Sequence, residues 1–258
     1  MSARLTPPTR LTQPERRTRL GLLRPLARHE LHAARTLPLV CGTVLGVAVC
    51  AAPTAFGTRT TPATAAVLLY LAAVFGSLGL LFLLDDPAAP STAVSPLPWW
   101  LRRAVRAAAG LLVLAVAWST GAALVRRALP EGERAALPLA DLAGVAPALG
   151  LLALALALCG LRLTAGRNGS LVGAPAFIVL TLILVLLPSG WEFFASPGDG
   201  GWNAAMVRWR VMGAASLVAA LVLIRKPDPV APIPGSAPCG DVPPAARPGD
   251  AIGHRACD

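Results

Sequence analysis

The sequence predicts an all-α integral membrane protein. Its core is a bundle of six transmembrane helices with both termini in the cytoplasm, preceded by an amphipathic helix lying in the interface. Three observations lead there. Of the 258 residues, 55% are hydrophobic and 14% charged, against about 25% charged in a soluble domain. The mean hydropathy is +0.63. Finally, apolar runs long enough to cross a bilayer recur six times along the chain. The 13 acidic and 23 basic residues are too few to coat a soluble globule of this size. A secreted disulfide scaffold and a disordered chain are excluded on the same ground.

Each span follows from one requirement. Crossing a hydrocarbon layer of ~30 Å takes about 20 mostly apolar residues in a helix, because every backbone group must bond internally. The segments that meet it are Leu37 to Gly57, Pro62 to Leu84, Ala107 to Val125, Leu139 to Leu161, Leu171 to Pro188 and Asn203 to Ile224. In the last, Arg208 and Arg210 fall in the first turns, where they can snorkel to headgroups. Four regions result: a basic tail (1–19), the amphipathic helix (20–36), the six-span domain (37–224) and a proline-rich cytoplasmic tail (225–258).

Orientation follows from arginine and lysine, which cytoplasmic flanks retain. With the N-terminal region, the loop holding Arg102, Arg103 and Arg106, the loop holding Arg162 and Arg167, and the C-terminal tail inside, seventeen of the 23 basic residues are cytoplasmic. The other side holds Arg59, Arg126, Arg127, Arg134, Arg208 and Arg210. This predicts a multi-pass protein of the cytoplasmic membrane with both termini inside. The first apolar run starts too far from Met1, and is too long, for a cleavable signal peptide.

The net charge of +10 and the pI of 11.0 would suggest a nucleic-acid partner in a soluble chain. Here the basic residues flank apolar runs, so the partner they imply is membrane lipid and no nucleic acid is expected. At 100° per residue, Leu20, Leu22, Leu23, Leu26, Ala27 and Leu31 share one arc of a helix. Arg24, Arg28, His29, His32 and Arg35 share the other, with Glu30 breaking the pattern on the apolar side. Between the second and third spans, Asp85 and Asp86 open a loop kept extended by Pro87, Pro90, Pro96 and Pro98. Trp99, Trp100, Arg102 and Arg103 then begin a short amphipathic helix. Trp191, Glu192, Phe193 and Phe194 lie in an aromatic-rich outer segment ahead of the sixth span, where a short helical hairpin dipping into the leaflet and a plain interfacial loop both fit.

Catalytic chemistry is missing from the sequence. A nucleotide-hydrolysing loop needs Gly-Lys-Ser/Thr, and the one lysine, Lys226, precedes a proline. His29 and His32 stand one residue too close for a zinc-protease helix. Cys239, His254 and Cys257 are too scattered to imply a metal, and no cofactor is implied. The span centres carry no charged relay of the kind proton-coupled carriers use. Gly42 and Gly46, with Gly76 and Gly79, provide for close helix packing.

This layout resembles the membrane-spanning permease of type-2 ATP-binding cassette exporters, of an actinobacterial kind. The resemblance covers Leu20 to Ile224 and rests on six spans, the amphipathic lead-in, the polar cytoplasmic loop and the stretch from Leu83 to Ala89 followed by Leu97, Pro98, Arg102 and Arg103. It implies a permease dimer, of like or unlike chains, bound to separate ATPase subunits, with no enzyme activity in this chain. It also implies that Asp85 to Arg106 couples to the ATPase, with Arg28 and Glu30 beside it. The uncharged span interiors suit an amphipathic or lipid-like cargo. A non-transporting membrane anchor or accessory subunit is the competing expectation.

Overall fold

The computed structural model describes residues 36–85, 99–164, 169–188 and 190–225. The amphipathic segment with Arg28 and Glu30, Asp86 and the proline-rich tail lie outside the described residues. Those described form helices joined by turns, with no strand among them. They are α1 (Leu37–Ala55), α2 (Pro62–Leu81, continued by a 3-10 turn over Phe82–Leu84), α3 (Trp99–Ala128), the single turn α4 (Leu139–Leu142), α5 (Val145–Leu163), α6 (Gly169–Val185) and α7 (Trp202–Arg225).

Local sequence sets the ends. Pro62 occupies the first turn of α2, where its missing N–H is not needed, and the Thr61 hydroxyl accepts from the Thr64 amide at 3.3 Å. Pro53 in the last turn of α1 and Gly57 at a φ of 64° bring that helix to a stop. Pro188 and Gly190, the latter at a φ of 96°, follow the end of α6.

Among the described residues, five stretches are long and apolar enough to cross a membrane: Leu37–Ala55, Pro62–Leu84, Trp100–Ala128, Leu139–Leu163 and Trp202–Arg225. This is the pattern of a multi-pass membrane protein. The other apolar helix, α6, has 17 residues, about 25 Å at ~1.5 Å per residue. Two boundaries differ from expectation. The amphipathic segment expected at Trp99 to Arg106 is the first two turns of α3 itself, which runs 30 residues, or about 45 Å, and reaches past the hydrocarbon at its arginine-bearing ends. The expected span from Leu139 is broken after its first turn, at Ala143 and Gly144, before α5 begins.

Successive long helices run in opposite directions. Gly42 and Gly79 lie against each other across α1 and α2, as do Gly46 and Ala72. Leu114 of α3 meets Gly76 of α2, and Gly160 of α5 meets Gly169 of α6. α2 and α5 form the centre, their faces buried by Leu69, Leu80, Leu149 and Leu158, while α1, α3, α6 and α7 surround them. One face of the bundle, the first face, therefore carries Leu37, Asp85, Trp99, Leu163 and Arg225. The second carries Ala55, Ala128, Val185 and Trp202.

Small residues make this arrangement possible. A Cβ added at Gly79 would lie 2.6 Å from the Pro38 carbonyl oxygen and 2.8 Å from the Leu39 Cα. One added at Gly169 would lie 2.6 Å from the Ala157 carbonyl oxygen. With lipid tails as apolar as leucine, such backbone-to-backbone approach is where helices gain their attraction. The expected Gly42 and Gly46 motif thus packs within the chain, and Gly169 with Gly173 forms a second one between α5 and α6.

Candidate functional site

At the first face, two charged side chains tie helix ends together. A helix leaves its first N–H groups and last carbonyls without partners. Asp85, only 4% exposed, follows the 3-10 turn that ends α2, and its Oδ1 accepts from the Ser170 amide at 3.1 Å, in the first turn of α6. The Ser170 hydroxyl donates to the other carboxylate oxygen. The negative charge also faces the positive end of the α6 dipole. Arg162, in the last turn of α5, donates to the Leu223 carbonyl at 2.8 Å, in the last turn of α7. Arg106 of α3 is likewise buried.

These contacts alter the expected role of Asp85. Expected in an exposed loop, it is engaged inside the chain, so its first task is to join α2 to α6. The surface open to a partner here is that of Trp100, 44% exposed, with Arg102 and Arg103 half-buried on the same turn. Trp99 is the first residue of α3.

At the second face, the described residues between Val185 and Trp202 form bends and turns, with no helix among them. Of the two forms that fit this segment, the residues ahead of Trp202 take that of a loop, and helix resumes at Trp202. Phe193 and Phe194 turn inward, their rings edge-on to Trp209 of α7 at 5.4 and 5.3 Å between centroids. Tyr70 of α2 meets Phe194 edge-on at 5.1 Å and donates from its buried hydroxyl to the Ala195 carbonyl at 3.1 Å. Trp209 donates its indole N–H to the Phe193 carbonyl at 2.6 Å. The polar tips of Tyr70 and Trp209 therefore both have partners. Since Tyr70 lies two turns inside α2, the loop reaches about 12 Å below the start of that helix.

Trp191 stays outside, 67% exposed, and Glu192 contributes its backbone carbonyl, which accepts from Arg208 Nη1 at 2.7 Å. The other Arg208 amine donates to the Gly190 carbonyl, and the guanidinium lies over the Trp191 ring. Arg210 pairs with Asp141 at 3.0 Å. Both arginines thus also make contacts within the chain. A tight turn closes the loop: Asp199 accepts from the Ser196 amide at 2.9 Å, around Gly198 at a φ of 95°.

Between these ends, the outer surface of α3 carries a run of hollows that the sequence reading did not identify. The first, of about 720 Å³, lies between the end of α3 and the 131–143 segment, with Trp118, Ala122, Arg126, Arg127, Arg134 and Leu139 among its walls. A second, of about 560 Å³, shares Ser119, Ala123 and Arg127 with it and continues to Val116 and Ala115. A third, of about 440 Å³, shares Val116 and runs between α1 and α3 past Val44, Val47 and Leu112. Leu112, Val116, Ser119, Ala123 and Arg127 recur every three or four residues, so they form one stripe of the helix. The signal was present in the sequence as an arginine pair above a stripe of small and hydroxyl residues, but only the fold brings Arg134 over it.

The hydroxyls do little chemistry. Thr120 donates to its own helix, at 2.9 Å from the Val116 carbonyl, as does Thr43 at 2.8 Å from the Leu39 carbonyl. Neither is arranged with a base to act as a nucleophile. The chain was compared with protein-family models, with curated proteins and with solved structures, and it matches none of them.

Proposed function

We propose that this chain is the permease subunit of an ATP-driven exporter of the cytoplasmic membrane. It would carry an amphipathic or lipid-like substrate through conformational change powered by a separate ATPase subunit. In this reading all six long apolar helices cross the bilayer, the first face is cytoplasmic together with both termini, and two permease chains, like or unlike, stand side by side. The observation that carries the reading is the distribution of charge in the bundle. α1, α2 and α6 contain no charged residue, and those of α3, α5 and α7 lie in the turns near their ends. A bundle whose described spans carry no charged relay at their centres favours energy that enters from a partner over proton coupling.

The chain's own residues supply a route for that energy. A partner moving against Trp100 and the turn of Arg102 and Arg103 acts on the end of α3 and on the loop that Asp85 opens. Because Asp85 is bonded to Ser170, displacement of that loop pulls α6 as well as α2. Two packings of the outer helices around the α2–α5 pair would then be the two states between which ATP shifts the population.

One feature favours a non-transporting anchor or accessory subunit instead. The glycine crossings at Gly79 and Gly160 bring backbones into contact and leave the centre of the bundle filled. Co-purification separates the readings. The tagged full chain, extracted from its native membrane in mild detergent, is expected to bring down a P-loop ATPase in stoichiometric amount, and that ATPase is expected to be lost on Asp86→Ala/Trp100→Ala. Recovery of the chain alone, or with partners lacking ATPase activity, would favour the anchor.

A further inference from the structure

We propose that the stripe of hollows on α3 holds one phosphate-bearing anionic lipid, with the headgroup among Arg126, Arg127 and Arg134 and an acyl chain lying along Ser119, Val116 and Leu112. The inference is independent of the permease reading and needs no nucleotide or partner chain.

The charge of the upper hollow defines its ligand. Three guanidinium groups from two segments border one space, and no acidic side chain is among the described residues that line it. Two acidic residues nearby are engaged: Glu131 pairs with Arg134 at 3.6 Å and Asp141 pairs with Arg210 at 3.0 Å. Arg134 is held at the rim because its Nε donates to the Leu129 carbonyl at 3.2 Å. Guanidinium forks match the geometry of phosphate oxygens, and at a membrane boundary their attraction is less screened than in bulk water. Two arginines at a helix C-terminus are also favoured by the helix dipole. That explanation does not account for Arg134, which comes from a different segment, nor for the space between them.

The rest of the stripe says that the anion carries a hydrocarbon tail. Below the arginines the walls are Trp118, Ala122, Leu139 and Ala143. The two lower hollows add Ala115, Val113, Val47 and Val44. From Arg127 to Leu112 the stripe runs about 22 Å down the helix, well over half of the ~30 Å hydrocarbon layer. A free phosphate would use only the top of this surface. A lipid uses all of it, placing its charge at the arginines and its chain against apolar side chains at the depth where chains lie.

Native mass spectrometry of the purified full chain tests this, with dioleoyl phosphatidylglycerol, dioleoyl phosphatidylcholine and inorganic phosphate as the probes. The chain is expected to retain one phosphatidylglycerol and to prefer it to phosphatidylcholine, which has the same tails. Arg126→Gln/Arg127→Gln/Arg134→Gln is expected to lower that retention at least tenfold, whereas Arg59→Gln/Arg225→Gln leaves it unchanged. Ala123→Phe fills the stripe from an exposed position and keeps all three arginines, so it is expected to displace the lipid without unfolding the bundle. Retention by the triple variant equal to that of the unaltered chain would overturn the proposal. So would displacement of the lipid by inorganic phosphate at equal concentration, which would mark a site for a soluble anion.

Discussion

Asp85→Ala is expected to destabilise the bundle by about 3 kcal/mol, seen as a lower melting midpoint in mild detergent. Hydrogen bonds to a charged group contribute roughly 1.5–3 kcal/mol each, and removing one partner leaves the other buried and unsatisfied. Here the alanine would abandon both the amide and the hydroxyl of Ser170, itself buried. It would also remove a negative charge from the first turn of α6. Asp85→Asn keeps the shape and one accepting oxygen, so its expected loss is smaller, about 1 kcal/mol. If Asp85→Ala melts with the unaltered chain, the link from α2 to α6 contributes nothing and Asp85 is free to serve a partner.

An effect of equal or greater size is expected at the helix crossings. In Gly79→Leu, the first side-chain carbon alone would fall 2.6 Å from the Pro38 carbonyl oxygen, and the rest of the side chain would extend into the backbone of α1. Overpacking in a core costs about 1–3 kcal/mol when side chains can yield. Here the obstructing atoms are main chain, so relief requires α1 and α2 to separate, and about 3 kcal/mol or more is expected. Gly79→Ala should fall lower in the range. Gly132 has nothing within 4 Å of an added Cβ, so Gly132→Ala is expected to stay within ~0.5 kcal/mol of the unaltered chain. Thermal unfolding of the three variants side by side checks the ranking; equal midpoints would mean that α1 and α2 are not held by this crossing.

Asp85 and Gly79 also show what could be read from the sequence. The apolar runs give the helices because burial in lipid imposes both a length and a composition, and both are local properties. Thus Thr61 and Pro62 mark the start of α2, and Gly42 with Gly46 mark the face of α1 that meets it. The role of Asp85 was not legible, because its partner stands 85 residues away and only the approach of α6 to α2 brings them together. In the outer loop the aromatic composition was legible but the direction of the rings was not: Tyr70 and Trp209 of other helices turn Phe193 and Phe194 into the bundle. Arg134 was counted as an outer charge, and its place above the α3 stripe depends on how the 131–136 turn folds back. Pairing across helices decides the positions of Asp85 and Phe194, whereas the fold of a single turn decides that of Arg134.

An ATPase can reach Trp100 and the loop before it only from the cytoplasm, so the face of the bundle on that side decides whether this chain can be driven as proposed. Single cysteines can report this in a background with the five native cysteines replaced by alanine. Gly200→Cys places the thiol in the exposed outer loop, where an added side chain meets nothing within 4 Å. Ser91→Cys places it in the segment between α2 and α3. With a membrane-impermeant maleimide, Gly200→Cys is expected to label in intact cells, and Ser91→Cys only after the membrane is permeabilised. Labelling of Ser91→Cys in intact cells, with Gly200→Cys protected, would put the first face outside and contradict the reading of this chain as a permease driven by a cytoplasmic ATPase.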